Sequence, residues 1–135
     1  MDAEERLARL DAALERLREA NQHAPMIVEG MRDAAALREL GFDGEIIIYN
    51  QEPGGLLDLA DRLRTRVLVI LLFDWDRKGG QLTKTMRENL AGSVKVEWEG
   101  RKELAIVSTV RCVEDLPSAR RHLAKLIERR EHELG

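Results

Sequence analysis

Hydrophobic residues along the chain form two kinds of pattern, short continuous runs and stripes at helical spacing. The longest run, residues 67–73, is rich in Val, Ile and Leu and is followed directly by polar residues. Such a run predicts a strand buried on both faces of a parallel sheet. A helix is the competing interpretation, but the run is too short and Gly79 and Gly80 end it. We therefore expect residues 67–73 to form the central strand.

Shorter apolar runs predict further strands, and stripes with helical spacing lie between them. The predicted strands are residues 25–28, 45–49 and 94–98. The predicted helices are residues 31–40, 56–63 and about 82–90. Strands that alternate with helices imply right-handed crossovers and parallel pairing. The sequence therefore predicts an α/β fold, with a parallel sheet of about four strands flanked by helices.

The two ends of the chain predict helices of their own. Leu7, Leu10, Leu14 and Leu17 form an amphipathic stripe within residues 2–20. That stripe either packs on the domain's own sheet or forms a dimer seam. Pro117 fits the first turn of a last helix that reaches about residue 132.

The remaining boundaries follow from these elements. Leu123, Leu126 and Ile127 are expected to face inward from the last helix. Residues 101–106 could form a short helix, and residues 108–113 an edge strand or a loop. We expect an N-terminal helix over residues 1–22, a domain over 24–128 and a tail over 129–135.

Composition excludes some classes of protein but does not indicate a particular activity. The 135 residues suffice for a single core, and the net charge of −3 does not indicate a general nucleic-acid coat. The one cysteine, Cys112, cannot form an internal disulfide and is expected to be a small buried residue. The charged amino terminus does not resemble a signal peptide, and no segment is long enough to cross a membrane. A cytoplasmic protein without a membrane partner is expected.

Acidic residues follow two of the predicted strands. Glu29 comes directly after the strand at 25–28, and Asp74 and Asp76 follow the central strand. Alternation along a strand would send Asp74 and Asp76 to one side and Trp75 to the other. Ligands bind beyond the carboxyl ends of parallel strands, so these carboxylates are expected to converge there. Converging carboxylates repel one another unless a cation lies between them, which predicts a site for Mg²⁺ or, as an alternative, Mn²⁺.

Asp33, one helical turn beyond Glu29, could help to hold a second metal. The competing interpretation makes each of these acids a solvated turn residue or a helix cap. For any one acid alone, the capping interpretation is the stronger.

The acidic strand ends also resemble a known family. Ile27-Val28-Glu29-Gly30 is followed, after the expected intervening elements, by Phe73-Asp74-Trp75-Asp76-Arg77-Lys78-Gly79. A strand that ends in Glu-Gly and a later strand that ends in DxDxxG are the hallmarks of the Toprim domain. The resemblance covers roughly residues 24–128 and is nearest to the small stand-alone Toprim proteins of archaea and some bacteria.

This resemblance implies Mg²⁺ bound by Asp74 and Asp76, with Glu29 as a metal ligand or as a general acid or base. It also implies that Asp33 can join a second metal. Position 31 is Met where the small proteins often carry Lys, and Arg77-Lys78 replaces acidic or small residues of other members. The basic pair either binds a phosphate or offsets local negative charge.

The function expected from this resemblance is Mg²⁺-dependent phosphodiester chemistry on nucleic acid, most simply as a nuclease on RNA or DNA. A primase-like nucleotidyltransferase is the enzymatic alternative. A metal-dependent nucleic-acid or nucleotide binding module that acts within a larger complex is the other alternative. A homodimer or a larger nucleic-acid-processing complex is the candidate assembly. A basic stripe on the last helix, formed by Arg120, Arg121, Lys125, Arg129 and Arg130, is the further candidate for phosphate contacts, with Arg121, Lys125 and Arg129 at its centre.

Overall fold

The computed structural model describes residues 1–134, and Gly135 lies outside the described part. Its centre is a sheet in which neighbouring strands are parallel. The strands are β1 (Met26–Val28), β2 (Ile46–Ile48), β3 (Leu68–Leu71) and β4 (Lys95–Glu97). They lie in the order β2-β1-β3-β4. The predicted four-stranded parallel sheet is confirmed, and the run at 67–73 supplies the inner strand β3.

Helices fill the connections and both ends of the chain. They are α1 (Ala3–Asn21), α2 (Met31–Glu39), α3 (Gly55–Leu63), α4 (Arg77–Leu90), α5 (Glu99–Ser108) and α6 (Leu116–Leu134). Short 3-10 turns occupy Tyr49–Gln51 and Val113–Asp115. No helix within residues 1–134 has both the length and the apolar character needed to cross a membrane.

Alternation along the inner strands builds a core on each face of the sheet. Met26 of β1 and Ile70 of β3 pack with α1, α2, α5 and α6. Ile27, Val69 and Leu71 point to the other face and pack with α3 and α4. All five side chains are fully buried, as expected for strands covered on both sides. The result is a three-layer arrangement with helices on both faces of the sheet.

The N-terminal helix belongs to the domain's own core. Leu10 and Leu14 of α1 are fully buried and Leu17 is nearly so. They join the core cluster that contains residues of β1, β3, α5 and α6. Of the two alternatives for this stripe, the structure therefore shows packing on the domain itself.

The C-terminal part differs from the sequence-based expectation in several places. The ambiguous region forms the full helix α5 followed by a loop, with no edge strand. α6 continues through Leu134, close to the predicted helix end near residue 132, so residues 129–134 assigned to the tail are helical. The prediction that Leu126 faces inward is wrong, because Leu123 is the last buried residue of α6 and Leu126 is exposed. Cys112 is only half-buried, so its assignment to the core is also wrong.

The strand order creates a crevice between β1 and β3. From β1 the chain passes through α2 on one face to β2, whereas from β3 it passes through α4 on the other face to β4. The two connections therefore leave adjacent strands in opposite directions. Ligands of open α/β sheets bind at such a switch point, beyond the carboxyl ends of the strands.

Candidate metal centre

Glu29 and Asp74 meet at this switch point. The backbone N–H of Asp74 donates to Oε1 of Glu29 at 3.0 Å. The backbone of Glu29 is held in turn, because its carbonyl accepts from the N–H of Asn50 at 3.0 Å. The Glu29 side chain is only 9% exposed. The structure thus brings together two acids that are 45 residues apart in the chain.

Asp33 lies beside this pair at the start of α2. Its Oδ2 accepts from the N–H of Gly30 at 3.1 Å, which caps the helix, and the residue is 7% exposed. Asp33 lines a cleft of about 400 Å³ together with Glu29 and Asp74. The mouth of the cleft includes Met31, which is 63% exposed. Asp33 therefore both caps α2 and faces the acidic cleft.

Asp76 has a structural role that strand alternation did not predict. β3 ends at Leu71, so alternation no longer sets the directions of residues 74–76. Asp76 is instead the N-cap of α4, with Oδ1 accepting from the N–H of Gly79 at 2.7 Å. The Trp75 indole N–H donates to the carbonyl of Val110. The expectation that alternation places these side chains is wrong, and the turn into α4 places them.

Gly79 permits this turn to close. A Cβ atom on Gly79 would lie 1.7 Å from the carbonyl oxygen of Asp74, closer than any real contact. The first turn of α4 can therefore approach the Asp74 backbone only because residue 79 lacks a side chain. This contact is a physical reason for the glycine at the end of the DxDxxG pattern.

Two partners of the acidic turn were missed by the sequence analysis. The Arg101 guanidinium donates to the carbonyls of Phe73 at 3.0 Å, Asp74 at 2.7 Å and Asp76 at 3.3 Å. The N–H of Val113 donates to Oδ1 of Asp74 at 2.9 Å. Both partners come from the C-terminal region whose structure was ambiguous in sequence. No spacing or motif marks an arginine that binds main-chain carbonyls, so only the fold reveals it.

The electrostatics of the cleft favour protonation of its acids when no cation is present. Burial, reinforced by the charges of Asp74 and Asp76, raises the pKa of Glu29 against the effect of its backbone hydrogen bond. Burial and the charge of Asp76 likewise raise the pKa of Asp74. Burial and the charge of Asp74 raise the pKa of Asp33 to about 6. These raised values are expected of carboxylates that share one site.

The metal-free protein is expected to lose stability as the pH rises through about 6. The pKa of Asp33 is higher in the folded chain than in the unfolded one. Its contribution to stability is therefore present below about pH 4 and is lost as the pH rises through about 6. Thermal melts in EDTA across this range measure the loss, and Asp33→Asn is the control that should flatten it. Parallel curves for wild type and Asp33→Asn would contradict the prediction.

The donor set fits a hard cation that keeps part of its water. Glu29, Asp33, Asp74 and Asp76 each use one carboxylate oxygen to accept a backbone N–H. Within residues 1–134, the second oxygen of each makes no hydrogen bond to protein. Mg²⁺ is commonly bound through one or two carboxylates, with waters and substrate phosphates completing its shell. These four acids offer oxygen ligands of that kind.

The acids are not gathered as tightly as a complete protein-only site would require. Within the described residues, only one group of three acidic, Cys or His side chains has its ligand atoms all within 4.8 Å of one another, and it consists of Cys112, Glu114 and Asp115. The Cys112 thiol donates to Asp115 at 3.0 Å, and burial raises its pKa to about 12. Cys112 and Glu114 line the same cleft, but a protonated thiol is a poor metal ligand, so this group is a weaker candidate than the carboxylates of Glu29, Asp33 and Asp74.

Substitutions at Asp76 distinguish its role as the N-cap of α4 from the effect of its negative charge. Asp76→Ala should lower the free energy of unfolding by about 1 kcal/mol in EDTA, because α4 loses its cap. Asp76→Asn keeps an oxygen for the N–H of Gly79 and removes one negative charge, so it should melt no lower than wild type in EDTA. If Asp76 binds the metal, both variants should lose most of the stabilisation by Mg²⁺, which is about 1.4 kcal/mol for wild type at ten times Kd.

Thermal melts in EDTA and across a Mg²⁺ titration test these expectations. The matched control is Asp2→Ala, which removes the equivalent cap of α1, where Oδ1 accepts from the N–H of Glu5 at 2.8 Å. That variant should lose stability and keep the full Mg²⁺ response. An Asp76→Asn protein with an undiminished Mg²⁺ response would leave Asp76 as a cap only.

The candidate phosphate-binding residues lie on two separate surfaces. Arg77 and Lys78 are exposed in the first turn of α4, next to Asp76. On α6, Arg121 pairs with Glu39 at 2.8 Å and Arg120 pairs with Asp11 at 2.8 Å. Lys125, Arg129 and Arg130 are exposed further along α6. The predicted stripe is therefore partly neutralised by acids of α1 and α2.

Comparisons with other proteins identify the family of the chain. A UPF0292 protein of Thermococcus sibiricus is 36% identical over 115 residues, which cover 83% of this chain and 88% of the relative. A UPF0292 protein of Methanocaldococcus jannaschii is 38% identical over 121 residues, covering 86% and 93%. A solved structure of a protein from Aquifex aeolicus matches with a TM-score of 0.67 and 26% identity, covering 78% of this chain and 95% of that one. No family model matches. The long alignments at 36% and 38% identity show that this chain belongs to the UPF0292 family.

Proposed function

We propose that this protein is a Toprim-type, Mg²⁺-dependent enzyme that cleaves phosphodiester bonds in RNA or DNA. The observation that carries the proposal is the contact between the Asp74 N–H and the Glu29 carboxylate at the switch point of the sheet. The order of the strands supports it, because Glu-Gly follows β1 and DxDxxG follows the adjacent strand β3. A cytoplasmic location is part of the same proposal.

Each acid has a role that follows from its surroundings. Asp74 and Asp76 would hold Mg²⁺, with Asp33 available to a second ion. Bound Mg²⁺ would neutralise negative charge that develops on the phosphate and the leaving oxygen. Glu29 is nearly buried and its pKa is raised, which makes its carboxylate a stronger proton acceptor than that of an ordinary glutamate. Arg101 would keep the acidic turn in place through the carbonyls of residues 73, 74 and 76.

A metal-dependent binding module is the second candidate, and the spacing of the acids favours it. The described carboxylates of the cleft do not approach one another as closely as three ligands of one ion would. The cleft is also small, at about 400 Å³. A nucleic acid or a partner protein could supply the missing ligands. In that case the isolated chain would bind substrate without turnover.

Incubation of the purified protein with labelled substrates distinguishes these functions. The substrates are structured RNA, single-stranded DNA and duplex DNA, each with Mg²⁺, Mn²⁺ or EDTA. Products that require metal and disappear in Asp74→Asn support the nuclease. Products that also require added nucleotides support a primase-like nucleotidyltransferase. Retarded but intact substrate supports the binding module, and neither products nor retardation contradicts all three.

A further inference from the structure

The exposed side of α4 carries a group of basic residues that are not paired with acids. The helix contains Arg77, Lys78, Lys84 and Arg87, and Glu88 is its one acidic residue. All four basic residues are exposed. Within residues 1–134 none of them forms a salt bridge to an acid within 4.0 Å or donates a hydrogen bond. The net charge of −3 for the whole chain makes this local excess of positive charge more notable.

The spacing of these residues forms a track that begins at the acidic turn of residues 74–76. Arg77 follows the cap residue Asp76, and Lys84 and Arg87 lie two and three turns further along the same side of the helix. The distance along the axis from Arg77 to Arg87 is about 15 Å. Gly80 lies between them, and the guanidinium of Arg101 is 3.6 Å from its Cβ position. The track therefore connects the candidate metal centre with the far half of α4.

An aromatic side chain lies at the C-terminal end of this track. The Arg87 guanidinium lies 3.5 Å from the centroid of the Trp98 ring. Trp98 directly follows β4, the strand next to β3, and it is half-buried. It also lines a cleft of about 590 Å³, whose charges are mixed: Arg16 and Lys102 are basic, and Glu97, Glu99 and Glu103 are acidic. Arg87 covers one face of the ring, so a base could stack only on the side of Trp98 that lines this cleft, next to cations that form no salt bridge within residues 1–134.

We infer that α4 and Trp98 bind an unpaired nucleic-acid strand, with phosphates on Lys84 and Arg87 and a base against Trp98. This inference rests on the proposed function and names the form of its substrate. Single strands are bound by positive grooves that combine phosphate contacts with aromatic stacking. The bases of a duplex are already stacked on each other, so Trp98 would add nothing to duplex binding. The surface therefore selects an unpaired strand, of RNA or DNA, next to the acidic cleft.

The other basic surface lacks these features. Arg120 and Arg121 of α6 already pair with Asp11 and Glu39. Glu39 ends α2, whereas Asp33 lies in its first turn, so Arg121 is directed away from the cleft end of that helix. Lys125 and Arg129 are unpaired within residues 1–134, but no aromatic residue accompanies them. They provide a matched control for the residues of α4.

Binding measured in EDTA tests the inference without cleavage. Fluorescently labelled oligouridine, oligothymidine and a DNA duplex are titrated with protein at several salt concentrations. Lys84→Gln combined with Arg87→Gln should lower the salt slope for single strands by about 1.4, because each lost contact removes about 0.7. Lys125→Gln combined with Arg129→Gln makes the same change in charge and should leave the slope unchanged. Equal effects of the two pairs would overturn the assignment to α4.

Substitution of Trp98 tests the stacking contact separately from charge. Trp98→Leu should weaken single-strand binding by roughly 5- to 150-fold, since stacking is worth about 1–3 kcal/mol per base. The salt slope should fall by no more than about 0.7, because only Arg87 loses the ring on which its guanidinium lies. Trp98→Phe keeps an aromatic face and should recover most of this affinity, while duplex binding should be equal in all three proteins. Lys84→Gln alone, at an exposed position, gives an independent slope change of about 0.7 if a Trp98 variant does not fold.

The results separate this inference from the proposed function. Metal-dependent cleavage that is unaffected by the α4 and Trp98 variants would support the nuclease and overturn the binding surface. Single-strand binding that depends on Lys84, Arg87 and Trp98, with no cleavage under any metal, would support the surface and contradict the nuclease. Wild-type protein that binds neither oligonucleotide at low salt would overturn the surface directly.

Discussion

Glu29→Gln is expected to lower Mg²⁺-dependent turnover by about 10²- to 10⁴-fold, the usual contribution of a positioned general base. The glutamine oxygen can still accept the N–H of Asp74, so the contact that joins β1 and β3 should survive. Glutamine cannot take up a proton, however, and it carries no charge. Substrate binding should therefore remain while the chemical step fails.

Single-turnover cleavage rates and binding isotherms together measure this separation. Glu114→Gln is a matched control, because Glu114 lines the same cleft but is exposed and has no implied role in proton transfer. Its turnover should stay within a few-fold of wild type. Equal turnover in Glu29→Gln and wild type would remove Glu29 from any proton-transfer role.

Gly79→Ala is expected to lower the free energy of unfolding by about 3 kcal/mol, at the upper end for overpacking. The new methyl group would lie 1.7 Å from the Asp74 carbonyl oxygen, which is main chain and cannot rotate away. α4 must then move away from the acidic turn. The cap contact from Gly79 to Asp76 and the position of Asp74 should change together, so metal-dependent stabilisation should also be lost.

Gly80→Ala is the matched control for this substitution. Gly80, the next residue of the same helical turn, has room for a Cβ atom, whose nearest neighbour would be the Arg101 guanidinium at 3.6 Å, an ordinary van der Waals distance. Alanine is favoured over glycine in a helix by up to about 1 kcal/mol, so this variant should be as stable as wild type or more stable. Chemical denaturation of the two variants measures the difference. A Gly79→Ala protein as stable as Gly80→Ala would show that α4 does not need the close approach.

The inner strands and the positions of Glu29 and Asp74 could be predicted from sequence because both depend on strong, local patterns. A run of Val, Ile and Leu that is buried on both faces leaves few alternatives to a parallel strand. A carboxylate directly after such a strand must lie near the carboxyl ends of the strands, whichever type of turn follows. The contact between the Asp74 N–H and Glu29 agrees with that expectation.

The two possible roles of Asp76 could not be separated in the same way. An aspartate before a helix is a good cap and also a good metal ligand, so its identity and spacing support both interpretations. β3 ends at Leu71, and the geometry of residues 74–76 is set by contacts with Arg101, Val113 and Gly79. These partners come from α4, α5 and the 3-10 turn at Val113–Asp115.

What the sequence by itself determined is the α/β class, the inner strands and the acids that end them, since burial and side-chain alternation act over a few neighbouring residues. Only the tertiary structure decided that α1 packs on its own domain, that Arg101 holds the acidic turn, and that acids of α1 and α2 neutralise part of the α6 stripe. It also placed Arg87 on Trp98. Each of these contacts joins residues from separate elements. Their formation depends on how the helices pack around the sheet, which no local pattern specifies.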